Sequence, residues 1–166
     1  LIDTAFAGSV SNIQVFADYT GIISQDRAFA VSNQFEIDGG TYLTLGFALD
    51  VDSSLTHSGG TLEIFNSQVF VGGDFVSSAG GLKIDGSMLT LDGTSDQVLS
   101  VLDQLHSLII TNVNTITLDN ELVIAGDLTY GGSKFDTKGY EVVFSGNDSQ
   151  VIDAQNNTFG NVRVDN

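Results

Sequence analysis

Residues 59–91 read GGTLEIFNSQVFVGGDFVSSAGGLKIDGSMLTL, and this stretch decides the fold. Within it, Leu62 and Ile64 are separated by one residue, which is the spacing of a short strand with one buried face. Both positions return 20 residues later as Leu82 and Ile84. A fixed step of 20 residues between such pairs indicates one coil of a solenoid.

The same alternation of apolar residues continues along the chain. Further pairs are Leu43/Leu45, Val69/Val71, Leu89/Leu91, Leu108/Ile110, Ile116/Leu118, Leu122/Ile124, Val142/Phe144 and Val162/Val164. We therefore predict an all-β protein, a right-handed parallel β-helix with about 20 residues per coil. At about 4.8 Å per coil, the chain predicts seven or eight coils and a rod about 35 Å long.

A longer repeat overlies the 20-residue step. Shifting residues 69–98 by 53 places apolar residues on apolar residues and retains several polar and glycine positions. The retained positions are Gly73/Gly126, Asp74/Asp127, Gly86/Gly139, Gly93/Gly146 and Gln97/Gln150. A shift of 54 takes Leu105, Leu108, Ile110 and Asn112 onto Phe159, Val162, Val164 and Asn166. We interpret the retained aspartates as residues that turns require.

These repeats predict a single β-solenoid domain over residues 1–166. Residues 1–34 match the pattern less well and are expected to form less regular coils or a cap. Residues 35–166 are expected to form regular coils that carry the 53–54 residue internal repeat.

Two other architectures fit parts of the sequence. An antiparallel sandwich also uses short strands, but it has no reason to keep apolar positions at a fixed step of 20. Val98, Leu102 and Leu105 have helical spacing, but the repeat counterpart at 150–155 loses it. We therefore expect strand and loop, and no helix, over residues 96–105.

The composition excludes several classes of function. With 21 acidic residues against 5 basic ones, the net charge is -16, which argues against nucleic acid or anionic lipid as a partner. No apolar run approaches 18 residues, so membrane insertion is not expected. The chain has 19 Gly and no Pro, so it turns often while each peptide bond within it keeps its N–H donor.

Four short phrases resemble a known repeat style. They are GGTLEI (59–64), VGGDF (71–75), GGLKIDG (80–86) and LTLDG (89–93). They resemble the β-helical stretches of large secreted bacterial surface proteins of the filamentous-haemagglutinin and autotransporter-passenger kind, over about residues 40–166. The resemblance implies export, an extracellular or cell-surface location, and adhesion or scaffolding.

The search for chemistry gives only weak candidates. Asp50/Asp52 and Asp92/Asp96 are carboxylate pairs of the kind that glycosidases use, but close pairs are inevitable among so many acidic residues. The same four aspartates are weak calcium candidates, because stacked carboxylates about 5 Å apart repel by about 0.8 kcal/mol even in water. No catalytic residue and no cofactor other than calcium is predicted.

Other polar and aromatic residues are given ordinary roles. His57 and His106 are expected to be turn or surface residues, since no cysteine completes a zinc site. The aromatic residues are expected to form mainly core, with Tyr42, Tyr130 and Tyr140 as candidates for outward-facing positions.

The resulting hypothesis is a non-catalytic, extracellular structural or adhesive solenoid segment that stacks end to end. Its expected partners are neighbouring solenoid repeats or identical subunits at the open ends, with glycans or cell-surface proteins as further partners. The first alternative is a carbohydrate-binding or carbohydrate-cleaving module, a lyase or hydrolase, and the second is a segment of a phage or virus fibre.

Overall fold

The computed structural model describes residues 9–132, 134–155 and 157–165. Residues 1–8 of the predicted N-terminal segment lie outside the described residues, as does Asn166, the repeat counterpart of Asn112. The described residues form twenty-two strands. They contain no helix long and apolar enough to cross a bilayer. Every named strand pair is parallel, which confirms the predicted all-β parallel architecture.

The strands form three sides of a solenoid. The first sheet contains β1 (Ser9–Val10), β4 (Phe29–Val31), β7 (Leu49–Val51), β10 (Gln68–Val71), β13 (Met88–Leu91), β15 (Ser107–Ile110), β18 (Leu128–Tyr130) and β21 (Ile152–Asp153). The second sheet contains β2 (Ile13–Val15), β5 (Phe35–Ile37), β8 (Leu55–His57), β11 (Phe75–Ser77), β14 (Gln97–Val101), β16 (Thr115–Leu118) and β19 (Lys134–Asp136).

The third side is made of two shorter sheets. One contains β3 (Ile22–Ser24), β6 (Thr41–Leu43), β9 (Thr61–Glu63) and β12 (Gly81–Lys83), and the other contains β17 (Leu122–Ile124), β20 (Glu141–Phe144) and β22 (Asn161–Val164). The segment between them keeps the stack continuous. The Leu82 N–H donates to Asp103 Oδ2 at 3.2 Å, and Leu105 forms a parallel bridge to Ile124.

Strand register confirms the 20-residue step. Leu62 pairs with Leu82, and Val69 pairs with Leu89, each one coil further along. The eight strands of the first sheet correspond to eight coils, or a rod about 38 Å long at the usual strand spacing.

One predicted strand is shifted by a residue. The pair Leu43/Leu45 was expected to face inward, but Tyr42 is fully buried and pairs with Leu62. Leu45 is 57% exposed. Because side chains alternate between faces, a slip of one residue exchanges the inner and outer sets. Tyr42 is also not outward-facing, and neither is the fully buried Tyr130, whereas Tyr140 is exposed.

The segment with an alternative helical pattern is extended. Residues 97–101 form β14, which pairs with β11 on one side and β16 on the other. The prediction of strand and loop over 96–105 is therefore confirmed.

The 53-residue repeat does not correspond to a whole number of coils. Val69 lies in the first sheet, and its counterpart Leu122 lies on the third side. Phe75 in the second sheet maps likewise onto Leu128 in the first. Counting Leu105 as a strand position, the shift covers eight positions, which at three per coil is two and two-thirds coils. Each repeat therefore moves equivalent residues to a different side of the rod.

Candidate functional site

An acidic pocket lies on the outer surface of the first sheet. Asp50 points outward from the middle of β7, between the fully buried Leu49 and Val51. The pocket has a volume of about 240 Å³, and its lining residues are Asp50, Asp52, Gly72, Asp92, Gly93 and Thr94. Three of the four predicted carboxylate candidates thus come together at one place.

A glycine separates two of these carboxylates. Asp52, Gly72 and Asp92 each directly follow a strand of the first sheet, on three consecutive coils. Asp52 and Asp92 are therefore two strand spacings apart, about 10 Å between their backbones. Gly72 is needed here because a Cβ atom would collide with the Asp52 carbonyl oxygen.

The environment of the pocket favours protonated carboxyls. Burial raises the pKa of the Asp50 carboxyl, and the charges of Asp52 and Asp92 raise it further. Burial also raises the pKa of Asp92, an effect that its own backbone N–H opposes and the charge of Asp52 reinforces. A carboxyl with a raised pKa is the kind of group that donates a proton in general acid catalysis.

Asp96 is not part of this pocket. Its Oδ1 accepts a hydrogen bond from the Thr115 N–H at 3.0 Å, one coil further along. Among the described residues, no three His, Cys, Asp or Glu side chains converge closely enough to hold a metal ion. The predicted calcium candidates therefore divide into a cluster of three and one residue that binds backbone.

An apolar shelf adjoins the acidic pocket. It forms a second cavity of about 290 Å³, lined by Ala28, Phe29, Ala30, Ala48, Asp50 and Phe70. Asp50 lines both cavities, so a single groove joins the aromatic ring of Phe70 to the carboxylates. The apolar side of this groove was not predicted, because outward positions 30, 50 and 70 share no residue type.

A buried glutamine organises one corner of the solenoid. Gln97 Nε2 donates to the carbonyl oxygen of Val71 at 2.8 Å and to that of Gly73. Its Oε1 accepts hydrogen bonds from the Gly93 N–H at 3.3 Å and from Asn112 Nδ2 at 2.5 Å. One side chain thus satisfies backbone groups on two coils and a buried asparagine on a third.

The 53-residue repeat reproduces this corner. Gln150 Nε2 donates to the carbonyl oxygens of Ile124 at 3.2 Å and Gly126 at 2.6 Å. Asp127 Oδ1 accepts from the Val151 N–H at 2.8 Å. In the first copy, Asp74 Oδ1 accepts from the Val98 N–H at 2.7 Å. The interpretation of these aspartates as turn residues is therefore wrong, since each binds the next coil.

His57 is not a surface residue. It is fully buried in the second sheet, where its Nδ1 lies 3.0 Å from Ser77 Oγ on the next coil. Its Nε2 has no hydrogen-bond partner among the described residues. Burial lowers the pKa of His57, although the backbone of Gly60 acts in the opposite direction. His106 lies four coil sides away, on the turn before β15, so the two histidines form no common site.

The last coil exposes residues that belong to the interior. Val162 and Val164 pair with the buried Val142 and Phe144, yet they are 49% and 59% exposed. Their repeat counterparts Leu108 and Ile110 are fully buried, because β18 covers β15. The apolar columns of the core therefore reach the C-terminal end of the described rod uncovered.

The N-terminal end of the described rod is also open. An apolar cavity of about 200 Å³ lies there, lined by Val10, Asn12, Ile13, Gln14, Val15, Ile23 and Phe29. These residues come from the first coil and the start of the second.

Ion pairs use the basic residues and leave a large acidic excess. Each of the five basic side chains lies within 4 Å of a carboxylate, for example Lys83 with Glu63 at 3.3 Å and Arg163 with Glu141 at 2.9 Å. With 21 acidic residues in the chain, most carboxylates have no basic partner of their own. The outer surface therefore has a strongly negative field.

Comparisons with known proteins give no match: no family profile, no curated protein and no solved structure is significantly similar to this chain.

Proposed function

We propose that this chain is a non-catalytic structural segment of an extracellular or cell-surface protein, where it forms a rigid rod that supports scaffolding or adhesion. The observation that carries the proposal is the uninterrupted interior, in which parallel coils stack their apolar residues from one end to the other. Such a quasi-one-dimensional structure transmits length and stiffness, and its ends are natural points of attachment.

The resemblance to bacterial surface proteins supports the same role. The phrases that carry it, such as GGTLEI and GGLKIDG, lie at the turns and strands that build the third side of the rod. The surface charge is compatible with a secreted rod, because a net charge of -16 keeps a long β protein soluble. Partners at the rod ends would be neighbouring coils or identical subunits.

A second candidate function is favoured by the groove on the first sheet. A sugar ring stacks on an aromatic side chain while its hydroxyls bind carboxylates, and the groove combines Phe70 with Asp50, Asp52 and Asp92. Inverting glycosidases place two carboxyls about 6.5–9.5 Å apart, one with a raised pKa. The Asp52 and Asp92 positions are slightly wider than this range, at about 10 Å between backbones.

A glycan array combined with a reducing-sugar assay separates the two candidates. A structural segment gives no ligand-specific binding and no release of reducing ends. Saturable glycan binding that is lost in Asp50→Asn and Phe70→Ala, but retained in the control Asp85→Asn, would overturn the structural proposal. Asp85 is a suitable control because it lies on a turn outside the groove.

The extracellular location is tested in the source organism. Antibodies raised against the chain are expected to label intact cells or the culture medium. Labelling that requires permeabilised cells would contradict an extracellular role.

A further inference from the structure

We infer that the C-terminal end of this rod binds the N-terminal end of a second copy, in register, so that the parallel sheets continue from one molecule into the next. The inference rests on the proposed structural role and names the partner at its open end. The occupant is a second copy of this chain, stacked head to tail.

The first argument is the shape of the exposed core. In the interior, inward positions of the third side form two columns, which reach Val162 and Val164 at one end and Ile23 and Gln25 at the other. Placing a second copy one strand spacing beyond β22 sets its Ile23 over Val162 and its Gln25 over Val164. Both valines are exposed in the single chain, although their pattern is that of a covered strand.

The second argument is the matching cavity at the opposite end. The exposed residues of the last coil, Ile152, Val162 and Val164, are all apolar. The N-terminal cavity of about 200 Å³ is lined mainly by apolar side chains, among them Val10 and Ile13. Stacking the two ends removes both apolar surfaces from water, which is the main favourable term in protein association.

The third argument is electrostatic. Two molecules that each carry a net charge of -16 repel in most orientations, so a contact between them needs an unusual charge distribution. In this register, the outward residue Arg163 lies beside Ser24 of the second copy, and Asp153 lies beside its Ser9. No aligned pair of outward strand residues on these two sides carries like charges.

The geometry of the contact is open rather than closed. The two ends of the rod are different surfaces, and the strands of the second copy must run parallel to those of the first to continue the sheets. A head-to-tail contact of this type does not close on itself and extends into a filament.

Disulfide trapping tests the register directly, because the chain has no cysteine of its own. The full-length double variant Arg163→Cys/Ser24→Cys places one thiol at each end on adjacent strands. Neighbouring strands about 4.8 Å apart lie within the range of Cα separations that a disulfide spans. Oxidation is expected to give a ladder of dimers, trimers and longer species.

Two controls make the result specific. Each single cysteine variant yields dimers at most. The double variant Arg163→Cys/Gln14→Cys places the second thiol on the second sheet, away from β22, and is expected to give no ladder. The absence of a ladder in the Ser24 variant, or an equal ladder in the Gln14 variant, would overturn the inference.

A reversible measurement keeps the test independent of cross-linking. Val162→Ser/Val164→Ser is expected to weaken self-association at least about tenfold in sedimentation velocity, since two apolar side chains no longer leave water. The control Val113→Ser changes a valine that is 68% exposed on a turn away from the ends, and it is expected to leave association unchanged. Equal association of the two variants would contradict the inference.

Failure of this inference and failure of the structural role give different results. Glycan binding would overturn the structural role whether or not a ladder forms. A missing ladder without any glycan signal would leave the rod as a structural segment whose partner is not a second copy.

Discussion

At the scale of single residues, the polar side chains inside the solenoid hold successive coils together. Gln97 and Asp74 bind backbone groups on adjacent coils, and Gln150 and Asp127 repeat the arrangement 53 residues later. Ser87 Oγ donates to the Ile64 carbonyl oxygen at 2.7 Å and accepts from the Ser67 N–H at 3.1 Å. Buried polar groups of this kind stabilise a fold only when they are satisfied.

Replacing Gln97 by Ala is expected to lower the free energy of unfolding by about 3 kcal/mol, because several buried backbone and amide groups lose their partner. Urea unfolding measures the change. The control Gln104→Ala removes one exposed hydrogen bond, to Ser145 Oγ, and is expected to cost under about 0.5 kcal/mol. Similar losses in both variants would contradict the role assigned to Gln97.

The buried His57 predicts a pH dependence. Its pKa is lowered in the fold, so the neutral ring contributes stability above the unfolded pKa of about 6.5, and this stability is lost as the pH falls through the folded pKa. Asp50 and Asp92, whose pKa values are raised, act in the opposite direction at lower pH. The loss due to His57 is therefore expected first, just below pH 6.5.

Urea midpoints at pH 7.5 and 5.5 test this dependence in the wild type and in His57→Gln. The variant is expected to lose less stability on acidification than the wild type, whereas the control His106→Gln is expected to behave like the wild type. Equal pH dependence in all three proteins would show that His57 is not the group that titrates.

At the scale of the strands and corners, backbone contacts between coils decide where glycine is required. A Cβ atom at Gly93 would collide with the carbonyl oxygen of Gly72, and one at Gly146 with that of Ala125. These two glycines are counterparts in the 53-residue repeat, so the repeat preserves a point of close approach. Gly131 differs, since its nearest neighbour would be 3.6 Å from a Cβ atom.

Gly93→Ala is therefore expected to destabilise the protein by more than about 2 kcal/mol, because coil backbones must separate to admit the methyl group. Gly131→Ala is the matched control, and it is expected to be neutral or slightly stabilising. Thermal unfolding of the two variants distinguishes them. An equal melting temperature would contradict the close packing at Gly93.

Strand positions were predictable from sequence to the extent that the 20-residue step was intact. The pairs Leu62/Ile64 and Leu82/Ile84 gave the correct register, because alternation and repeat agree there. Leu43/Leu45 misled because the apolar Leu43 and Leu45 flank the inward Thr44. Aligning GGTYLTL with GGTLEIF places Tyr42 on Leu62, so the glycine pair carried the correct register.

At the scale of the whole molecule, the internal repeat and the coil have different lengths. A shift of 53 residues equals two and two-thirds coils, so equivalent corners rotate to a new side of the rod. Sequence comparison revealed the repeat but not this rotation, because three strands per coil became known only from the pairing. The groove at Asp50 and Phe70 was likewise hidden, since it joins residues from several coils.

The acidic surface predicts that salt promotes self-association. Raising the ionic strength shortens the screening length from about 30 Å at 0.01 M to about 10 Å at 0.1 M, and so reduces repulsion between the rods. Sedimentation at increasing NaCl concentration is expected to show larger species. Association that decreases with added salt would indicate a contact driven by opposite charges, contrary to the apolar contact proposed here.

Calcium is tested in the same experiment at matched ionic strength. A specific calcium site in the cluster of Asp50, Asp52 and Asp92 predicts a larger increase in thermal stability with CaCl₂ than with NaCl, and loss of this difference in Asp50→Asn. Equal effects of the two salts would exclude a specific role for calcium in stability.

The central claim is that the chain is a rod of stacked coils that extends at its ends. Small-angle X-ray scattering over a concentration series tests it most directly, because it separates the length of a particle from its cross-section. We expect a constant cross-section and a length that grows from about 38 Å in steps of one rod. A length that stays constant at all concentrations, or a cross-section that grows, would contradict the account.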